Sequence, residues 1–516
     1  MSGDSVPELR VIFGKRRDRG IIAGRTVGQA AFIALAIGLL IIFVRSFRSG
    51  PHPLWWWLVA AVFTAPIGFI RFGGRAISEV APAAIANAVV GLTGQREYRN
   101  GVHRRLASDT ANTPRTEPRL PGPLAKVEIL GFTVGDSDVD GGEVGVAFDR
   151  ADGSVVVVME VTGQTYPLLD TVLANSYAVG FQRLLDALSA RQNPIVAIQC
   201  LERIIPDLGE EAAREWNRRG GRGSEFSQNA NESLLASEAG RGIVHESYIA
   251  IRINPGKARR LVRESGRGDL GKASVAFRFG AGVRSDLEAA GVKVVGWLPP
   301  RGLSAVLRSA FDPSADAMVA RRGGGAGDSA GGDGGLPSGV SPATAGPMTG
   351  RPARTYYDHN NQVSRTWWIE EFPRAASGVI VGFMQPLLLN VPCRHTVSIL
   401  LEPLDSRAAA RRIEEAVSTQ DAAKKINQRI GRRSTRAAER EVHDTDRNEA
   451  ALVEGFANFH VKVVVTVTAG SVPELEDASA QIEAALNGSN MEGSVWTVET
   501  DQAFYIGALP LARGIS

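Results

Sequence analysis

The order of apolar and polar positions divides this chain into an apolar N-terminal part and a longer part in which short apolar runs alternate with polar ones. Residues 27–44 and 54–70 contain no charged side chain and are joined by a short connection. About 20 apolar residues cross the hydrocarbon core of a bilayer, and about 17 is near the lower limit. The two stretches therefore predict a transmembrane hairpin of two helices over residues 26–71.

The positive charges predict how this hairpin lies in a membrane. Lys and Arg are frequent before the first stretch and after the second, whereas the connection holds only Arg45 and Arg48. Since Lys and Arg mark the cytoplasmic side, we expect a two-span protein of the plasma membrane with both termini in the cytoplasm and a basic N-terminus (residues 1–25). A cleaved signal peptide and a buried helical hairpin in a soluble protein are the alternatives.

Residues 72–123 connect the hairpin to the rest of the chain. Residues 71–99 are apolar between arginines, which is typical of a helix that lies on the inner leaflet or packs on the following domain. Pro114, Pro118, Pro121 and Pro123 then predict a linker.

The alternating part contains two series of predicted strands and helices. In the first, the runs 144–150 and 154–161 flank Asp152-Gly153, a strong hairpin signal. A helix follows, since five apolar residues recur at helical spacing, namely Leu173, Tyr177, Phe181, Leu184 and Leu188. Strands are then predicted near residues 195–203, 246–253 and 292–297, with helical stretches between them.

The second series has the same order of elements. Strands are predicted at residues 365–372, 395–402, 460–468 and 494–499, and helices at 379–389, 406–458 and 472–486. The fold class is therefore α+β: a transmembrane hairpin followed by two similar lobes, each a helix-covered mixed sheet of about four strands. We expect the lobes at residues 124–320 and 353–516. The glycine-rich residues 321–352 are predicted to be a disordered linker.

Composition and charge exclude several kinds of site. The net charge of +3 implies no bulk attraction to nucleic acid. The cysteines Cys200 and Cys393 lie in apolar sequence, which is typical of buried free thiols. The seven histidines show no metal-binding spacing. We therefore expect no metal and no cofactor.

Residues 266–274 (GRGDLGKAS) nearly match the phosphate-binding loop GxxxxGK[ST]. Ala273 stands where a hydroxyl would bind magnesium, and residues 257–265 look helical, whereas such a loop follows a strand. The segment is better explained as a turn between two elements. The acidic pairs Glu370-Glu371 and Glu414-Glu415 are ordinary strand and helix positions, so we expect no catalytic residues and no enzymatic activity.

A basic cluster lies in the predicted helices of residues 406–458. It contains Lys424, Lys425, Arg429, Arg432, Arg433, Arg436 and Arg440, with Glu439 as its only acidic member. Such a cluster is either a solvated helix face or a docking surface for an acidic partner or for DNA. No aromatic residues interleave, so base stacking is not expected.

Several segments resemble conjugation proteins of Gram-positive bacteria. Residues 21–29 (IIAGRTVGQ) and 71–75 (RFGGR) resemble the small PrgI membrane proteins, which carry a two-helix hairpin. Four later segments resemble the non-catalytic N-terminal half of the conjugative ATPases of type IV secretion: residues 199–203 (QCLER), 308–313 (RSAFDP), 367–374 (WWIEEFPR) and 508–511 (ALPL). In those ATPases a motor domain follows such an end, whereas this sequence stops at Ser516.

This arrangement is similar to a family of actinobacterial integral membrane proteins that fuse a PrgI-like hairpin to a motorless domain. The resemblance implies a non-catalytic scaffold of a conjugation or type IV-like secretion apparatus. Its expected partners are the lipid bilayer, a separately encoded ATPase, other secretion membrane subunits and further copies of itself, without sequence-specific nucleic acid binding. Five residues are candidates for ATPase docking: Arg432, Arg436, Leu509, Pro510 and Leu511.

Two other functions are consistent with parts of the sequence. A two-span membrane subunit of type VII secretion would share the N-terminal pattern, although the repeated α+β series favours the first interpretation. A membrane-bound enzyme would need a polar pocket that the sequence does not reveal.

Overall fold

The computed structural model of the chain describes eleven longer ranges and several short pieces. The longer ranges are residues 27–46, 97–100, 120–133, 142–162, 171–190, 193–207, 224–238, 242–315, 339–373, 382–404 and 459–514. The short pieces are residues 10–11, 58, 60, 62, 71–72, 75–76, 216 and 379–380.

Strands and helices alternate along these ranges. The strands are β1 (Arg10–Val11), β2 (Arg71–Phe72), β3 (Arg75–Ala76), β4 (Tyr98–Arg99), β5 (Val127–Thr133), β6 (Glu143–Asp149), β7 (Val155–Thr162), β8 (Ile195–Asp207), β9 (Gly242–Ile253), β10 (Lys293–Trp297), β11 (Thr349–Pro352), β12 (Tyr357–His359), β13 (Gln362–Glu371), β14 (Val379–Ile380), β15 (His395–Pro403), β16 (Phe459–Ala469) and β17 (Glu492–Val495). The helices are α1 (Val27–Ser46), α2 (Thr171–Leu188), α3 (Glu225–Glu238), α4 (Arg259–Glu264), α5 (Gly268–Ala289), α6 (Pro300–Phe311), α7 (Gln385–Leu389), α8 (Val472–Gly488) and α9 (Thr500–Ala508).

The predicted localisation, a membrane protein with two spans, is wrong. Within the part of the chain that the structure describes, no helix has both the length and the apolar character that crossing a membrane requires. Of the second stretch only Leu58, Ala60 and Val62 are described as helical, so no hairpin is formed by described residues.

The fold is α+β, built on one large antiparallel sheet. Thirteen of the described strands belong to it, and eleven follow one path in the order β4-β11-β12-β13-β16-β15-β8-β9-β7-β6-β5. The strand β10 adds to β7, and β17 adds to β13. All pairings among the described strands are antiparallel, so the expected mixed sheets are wrong.

The two halves of the sheet repeat one strand order. In the first half the order is β10-β7-β9-β8, and in the second it is β17-β13-β16-β15. Each half also carries a flanking pair of strands, β5-β6 in the first and β11-β12 in the second. A further shared detail is that the residue after β10 or β17 bonds back to the central strand: Leu298 N donates to Val158 O at 2.9 Å, and Trp496 N donates to Thr366 O at 2.8 Å.

The halves are joined edge to edge, which differs from two separate sheets. The strand β8 of the first half pairs with β15 of the second, from Ile198 opposite Leu401 to Ile204 opposite His395. Continuous pairing satisfies the backbone groups that two open edges would otherwise expose. The predicted boundary between lobes is therefore a boundary along the chain and not a gap in the sheet.

Helices cover both faces of the sheet and bury four clusters of apolar side chains. On one face α2 and α5 cover the first half, where Leu184 and Leu287 pack, and α8 covers the second half. On the opposite face α6 and α9 lie side by side near the middle, and Leu307 and Phe504 belong to the same cluster. Strand residues alternate between the two faces as the pleat requires.

Local sequence accounts for several of these elements. Asp152 Oδ1 accepts from Ser154 N at 2.8 Å, and Gly153 has a φ of 75°, which closes the predicted hairpin between β6 and β7. The hairpin between β12 and β13 uses Asn360 and Asn361, both at positive φ, as a tight two-residue loop prefers. Helix α8 starts at the cap residue Ser471, whose hydroxyl accepts from Glu474 N at 3.4 Å.

Other predicted elements need correction. The helix expected at 379–389 is confined to α7, and the last strand lies at β17 because the residues after it lead into α9. Part of the expected disordered linker is ordered, since Val340 and Ala345 are buried and β11 belongs to the sheet. Residues 321–338 and 406–458 lie outside the described residues.

Candidate site at the C-terminal segment

The C-terminal segment, residues 504–513, crosses from the second half of the sheet onto the first. Helix α9 packs on β13, β15 and β16. Leu509 and Leu511 are then 1% and 2% exposed and belong to a cluster with residues of β7, β8 and β9 from the first half. The segment therefore fastens the two halves together on the face opposite α2, α5 and α8.

Gln199 of β8 holds the segment through its side-chain amide. Its Nε2 lies 3.1 Å from the carbonyl oxygens of Ile506 and Leu509 and 2.8 Å from Ser398 Oγ. Its Oε1 accepts from Ala512 N at 2.7 Å. Gln199 is fully buried, and these bonds satisfy polar groups that would be costly to bury unpaired.

Four charged side chains near Gln199 neutralise one another. Asp149 Oδ2 lies 3.0 Å from Arg252 and 3.1 Å from Arg513, and Arg252 also reaches Asp152 at 2.7 Å. Arg252 Nη1 donates to Leu511 O at 3.3 Å. Burial acts to raise the pKa of Asp152, but hydrogen bonds from Ser154 and Arg252 outweigh it, so the net pKa is lowered. Asp152 stays ionised and bound to Arg252 at neutral pH.

Aromatic side chains pack where α9 meets α6. The ring of Phe311 lies 5.2 Å from Phe504 and 6.3 Å from Tyr505, and Tyr357 lies 5.5 Å from Phe504. The ring of His359 packs at a tilt against that of Phe504, with 4.6 Å between their centroids. Ring pairs at these separations stabilise a core beyond the area that they bury, so this cluster fixes α9 against α6.

His359 is buried as the neutral imidazole. Burial lowers its pKa to about 4. Its Nδ1 lies 2.8 Å from the Phe311 carbonyl oxygen, which can only accept, so Nδ1 carries the proton. Its Nε2 then accepts from the Ser364 hydroxyl at 2.8 Å. Both ring nitrogens are thus used to hold the core and neither is free to act as a base.

A cavity of about 450 Å³ opens where the C-terminal segment leaves the sheet. Its lining includes Asp152, Arg252, Glu402, Gln502, Tyr505 and Arg513. Lys462 donates to both oxygens of Glu402 at 3.0 Å. Burial raises the pKa of Glu402, but the contacts with His460 and Lys462 outweigh it and leave a net lowering. The charges around the cavity are therefore paired within the chain and suited to holding structure.

The two cysteines and the possible metal ligands of the described chain form no reactive or metal-binding site. Burial raises the pKa of both Cys200 and Cys393 to about 11, so these thiols are protonated at neutral pH. Among the described residues no group of three His, Cys, Asp or Glu side chains could hold a metal ion.

The structure places the predicted site residues in different surroundings. Leu509, Pro510 and Leu511 are buried, which favours the role of completing the packing over direct contact with a partner. Arg432 and Arg436 lie outside the described residues. The phosphate-loop-like segment follows α4 and not a strand, as expected. Only its first two residues form the predicted turn, because α5 begins at Gly268, and Lys272 pairs with Asp269 at 3.2 Å.

Sequence reasoning missed Asp149 and Arg252, although a signal was present. Arg252 stands in the apolar run 249–253 (IAIRI), where a charge must find a buried partner. It missed the role of Gln199 as well, because a single glutamine in a strand carries no spacing that would single it out.

The segments at residues 199–203, 308–313, 367–374 and 508–511 meet around this site. Gln199 bonds to the carbonyl of Leu509, the ring of Phe311 packs at a tilt against Phe504, and Trp368 clusters with Ile506 of α9. They are separated by up to about three hundred residues along the chain, yet each contacts the C-terminal segment or belongs to it.

Comparison with known proteins adds no relative, because no family model and no curated protein matches this chain.

Proposed function

We propose that this chain is a non-catalytic scaffold subunit of a conjugation or type IV-like secretion apparatus, on which a separately encoded ATPase docks. The observation that carries the proposal is the convergence of the four ATPase-like segments on one junction. Segments that share a structural role need to meet in space, whereas chance likenesses would be scattered over the fold.

The junction supports a scaffold because its polar groups are used to hold two halves together. Both ends of the Gln199 amide form hydrogen bonds with the C-terminal segment, and Asp149 forms ion pairs with both Arg252 and Arg513. A platform for another protein needs a fixed shape, and a continuous sheet with buried, paired charges supplies one.

The docking surface itself is assigned to the basic cluster around Arg432 and Arg436. The buried side chains of Leu509 and Leu511 instead hold the second half in place, and in the sequence that cluster lies between β15 and β16. An ATPase with an acidic face would be attracted to such a cluster over roughly 10 Å at 0.1 M salt.

Capture of the ATPase tests this proposal. The full chain, immobilised, should retain a conjugation-type ATPase encoded in the same genome, and Arg432→Glu with Arg436→Glu should weaken retention most at low salt. As a matched control, Lys293→Glu with Arg351→Glu reverses two exposed charges on β10 and β11 and should retain the ATPase as the unmodified chain does. If the unmodified chain holds no such ATPase, the scaffold proposal fails. If both double variants retain the ATPase equally well, the basic cluster is not the docking surface.

A further inference from the structure

A second basic surface lies on the first half, around α4 and the start of α5. From Lys257 to Arg278 the chain carries seven Lys or Arg residues and two carboxylates, although the whole chain has a net charge of only +3. Lys257, Arg259, Arg260, Arg263 and Arg267 are all exposed. Positive charge is therefore concentrated on this surface, which we call the α4 surface.

The carboxylates near the α4 surface are already paired. Glu264 bonds to Arg260 at 2.8 Å. Asp269 bonds to Arg150 at 2.7 Å and to Lys272 at 3.2 Å. Asp152 is held by Arg252 at 2.7 Å.

Arg260 and Lys272 each have a carboxylate partner. For Arg259 and Arg263, in contrast, no carboxylate of the described chain lies within salt-bridge distance. They stand four residues apart on α4, so their side chains project from neighbouring turns, with about 5–6 Å between Cβ atoms. Two guanidinium groups are thus left to bind an anion from solution.

These two arginines border an open cleft of about 720 Å³. Lys272 lines the same cleft, as do the turn at Asn254–Gly256 and the carboxylate of Asp152, which is held by Arg252. Among the described residues that line it none is aromatic, and Pro255 and Val262 are its apolar side chains. The described lining therefore offers cations to a ligand but no aromatic ring on which a base could stack.

We propose that the α4 surface binds the phosphodiester backbone of single-stranded nucleic acid without sequence preference. Such a strand carries one negative charge per nucleotide, so cations one helical turn apart can each meet a phosphate. The planar guanidinium matches phosphate oxygens in a bidentate manner. A flexible single strand can follow such an open cleft, and because no described residue of its lining is aromatic, base stacking adds no sequence preference there.

Fluorescence anisotropy with a labelled oligothymidylate of about 20 nucleotides tests this proposal. The full chain should bind it at 50 mM salt, and log K should fall with log salt by about 0.7 for each phosphate contacted. Replacing Arg259 and Arg263 together (Arg259→Gln, Arg263→Gln) should weaken binding on the order of tenfold and reduce the slope by about 1.4. Both residues are exposed, so the variant is expected to fold.

Matched variants separate this surface from other sources of binding. Arg259→Lys with Arg263→Lys keeps the charge and should preserve most of the slope, and Lys293→Gln with Arg351→Gln should change nothing. Equal binding by the Arg259→Gln, Arg263→Gln variant would overturn the proposal by assigning the oligonucleotide to another surface, such as the cluster around Arg432. So would a lack of binding at 50 mM salt, or competition by polyglutamate as strong as that by unlabelled oligothymidylate.

Discussion

The residues that decide this fold are polar side chains buried on the face that carries α6 and α9. The repeat of the two halves relates Asp149 to His359, since each lies two residues beyond the strand partner of Val156 or Ser364. Asp149 binds Arg513 after α9, whereas His359 binds the carbonyl of Phe311 at the end of α6. Equivalent positions thus hold the ends of equivalent helices, one with a charge and one with a neutral ring.

Replacing Gln199 should destabilise the whole chain. Gln199→Leu removes the donor of Leu509 O and the acceptor of Ala512 N, and each buried group left unpaired costs about 1–3 kcal/mol. We expect the free energy of unfolding in urea to fall by about 2–4 kcal/mol. Gln481→Leu, at an exposed position of α8, is the control and should change it by less than about 0.5 kcal/mol. A similar small effect at Gln199 would mean that the C-terminal segment is not held there.

The buried imidazole of His359 should make the fold sensitive to mild acid. Its folded pKa of about 4 lies below the ordinary value of 6.5, so the unfolded chain binds the proton more readily. The stability that the buried neutral imidazole contributes is therefore fully present above about pH 6.5 and is lost as the pH falls toward 4. Between pH 7 and pH 5 we expect a loss of about 2 kcal/mol from this residue.

Comparison with His359→Gln isolates this effect. The variant lacks the titrating group but keeps the other histidines, so its unfolding free energy should depend less on pH over the same interval. Urea unfolding at pH 7 and pH 5 measures both chains. Identical pH dependence in the two chains would show that His359 is not buried as the neutral ring.

At the scale of elements, strong periodicity was sufficient for most strands. The predicted bounds of β8, β9, β13, β15 and β16 lie within a few residues of the observed ones. Their apolar runs are easy to recognise in the sequence because both faces of the sheet are covered and most residues of each strand are buried. The order of elements in the two series also follows from the sequence alone.

Elements whose identity depends on distant contacts were not predicted. Helix α6 starts with Pro299-Pro300-Arg301-Gly302, which signals a turn, yet Leu303, Val306 and Phe311 bury it against the sheet. Helix α9 follows the strand predicted at residues 494–499, and the sequence predicts no helix there because the segment is short and almost all of its residues are apolar or buried. The antiparallel joint of β8 with β15 is also invisible in the sequence, since pairing between halves leaves no local pattern.

For the apolar N-terminal stretch the sequence predicted elements that the structure does not contain among the residues it describes. Composition alone suggested two spans, but the structure gives no helix of the required length and apolar character among the residues it describes.

At the scale of the whole molecule, the central claim is that two repeated halves form one sheet through β8 and β15. The proposed scaffold depends on this joint, because a partner that docks on the second half would otherwise not be fixed relative to the first. The C-terminal segment closes the same joint from one face, through Gln199 of β8 and Ser398 of β15.

Cross-linking of the native Cys200 measures the joint most directly. Cys200 lies opposite Ile399 across the two strands, so a cysteine introduced by Ile399→Cys in a Cys393→Ser background faces it within disulfide range. We expect mild oxidation to give an intramolecular disulfide between Cys200 and position 399, identified by peptide mapping of the full chain. Leu401→Cys, two residues along the same strand, should give little cross-link because diagonal partners are about 7–8 Å apart. Equal yields at 399 and 401, or a higher yield at 401, would contradict the pairing and with it the single sheet.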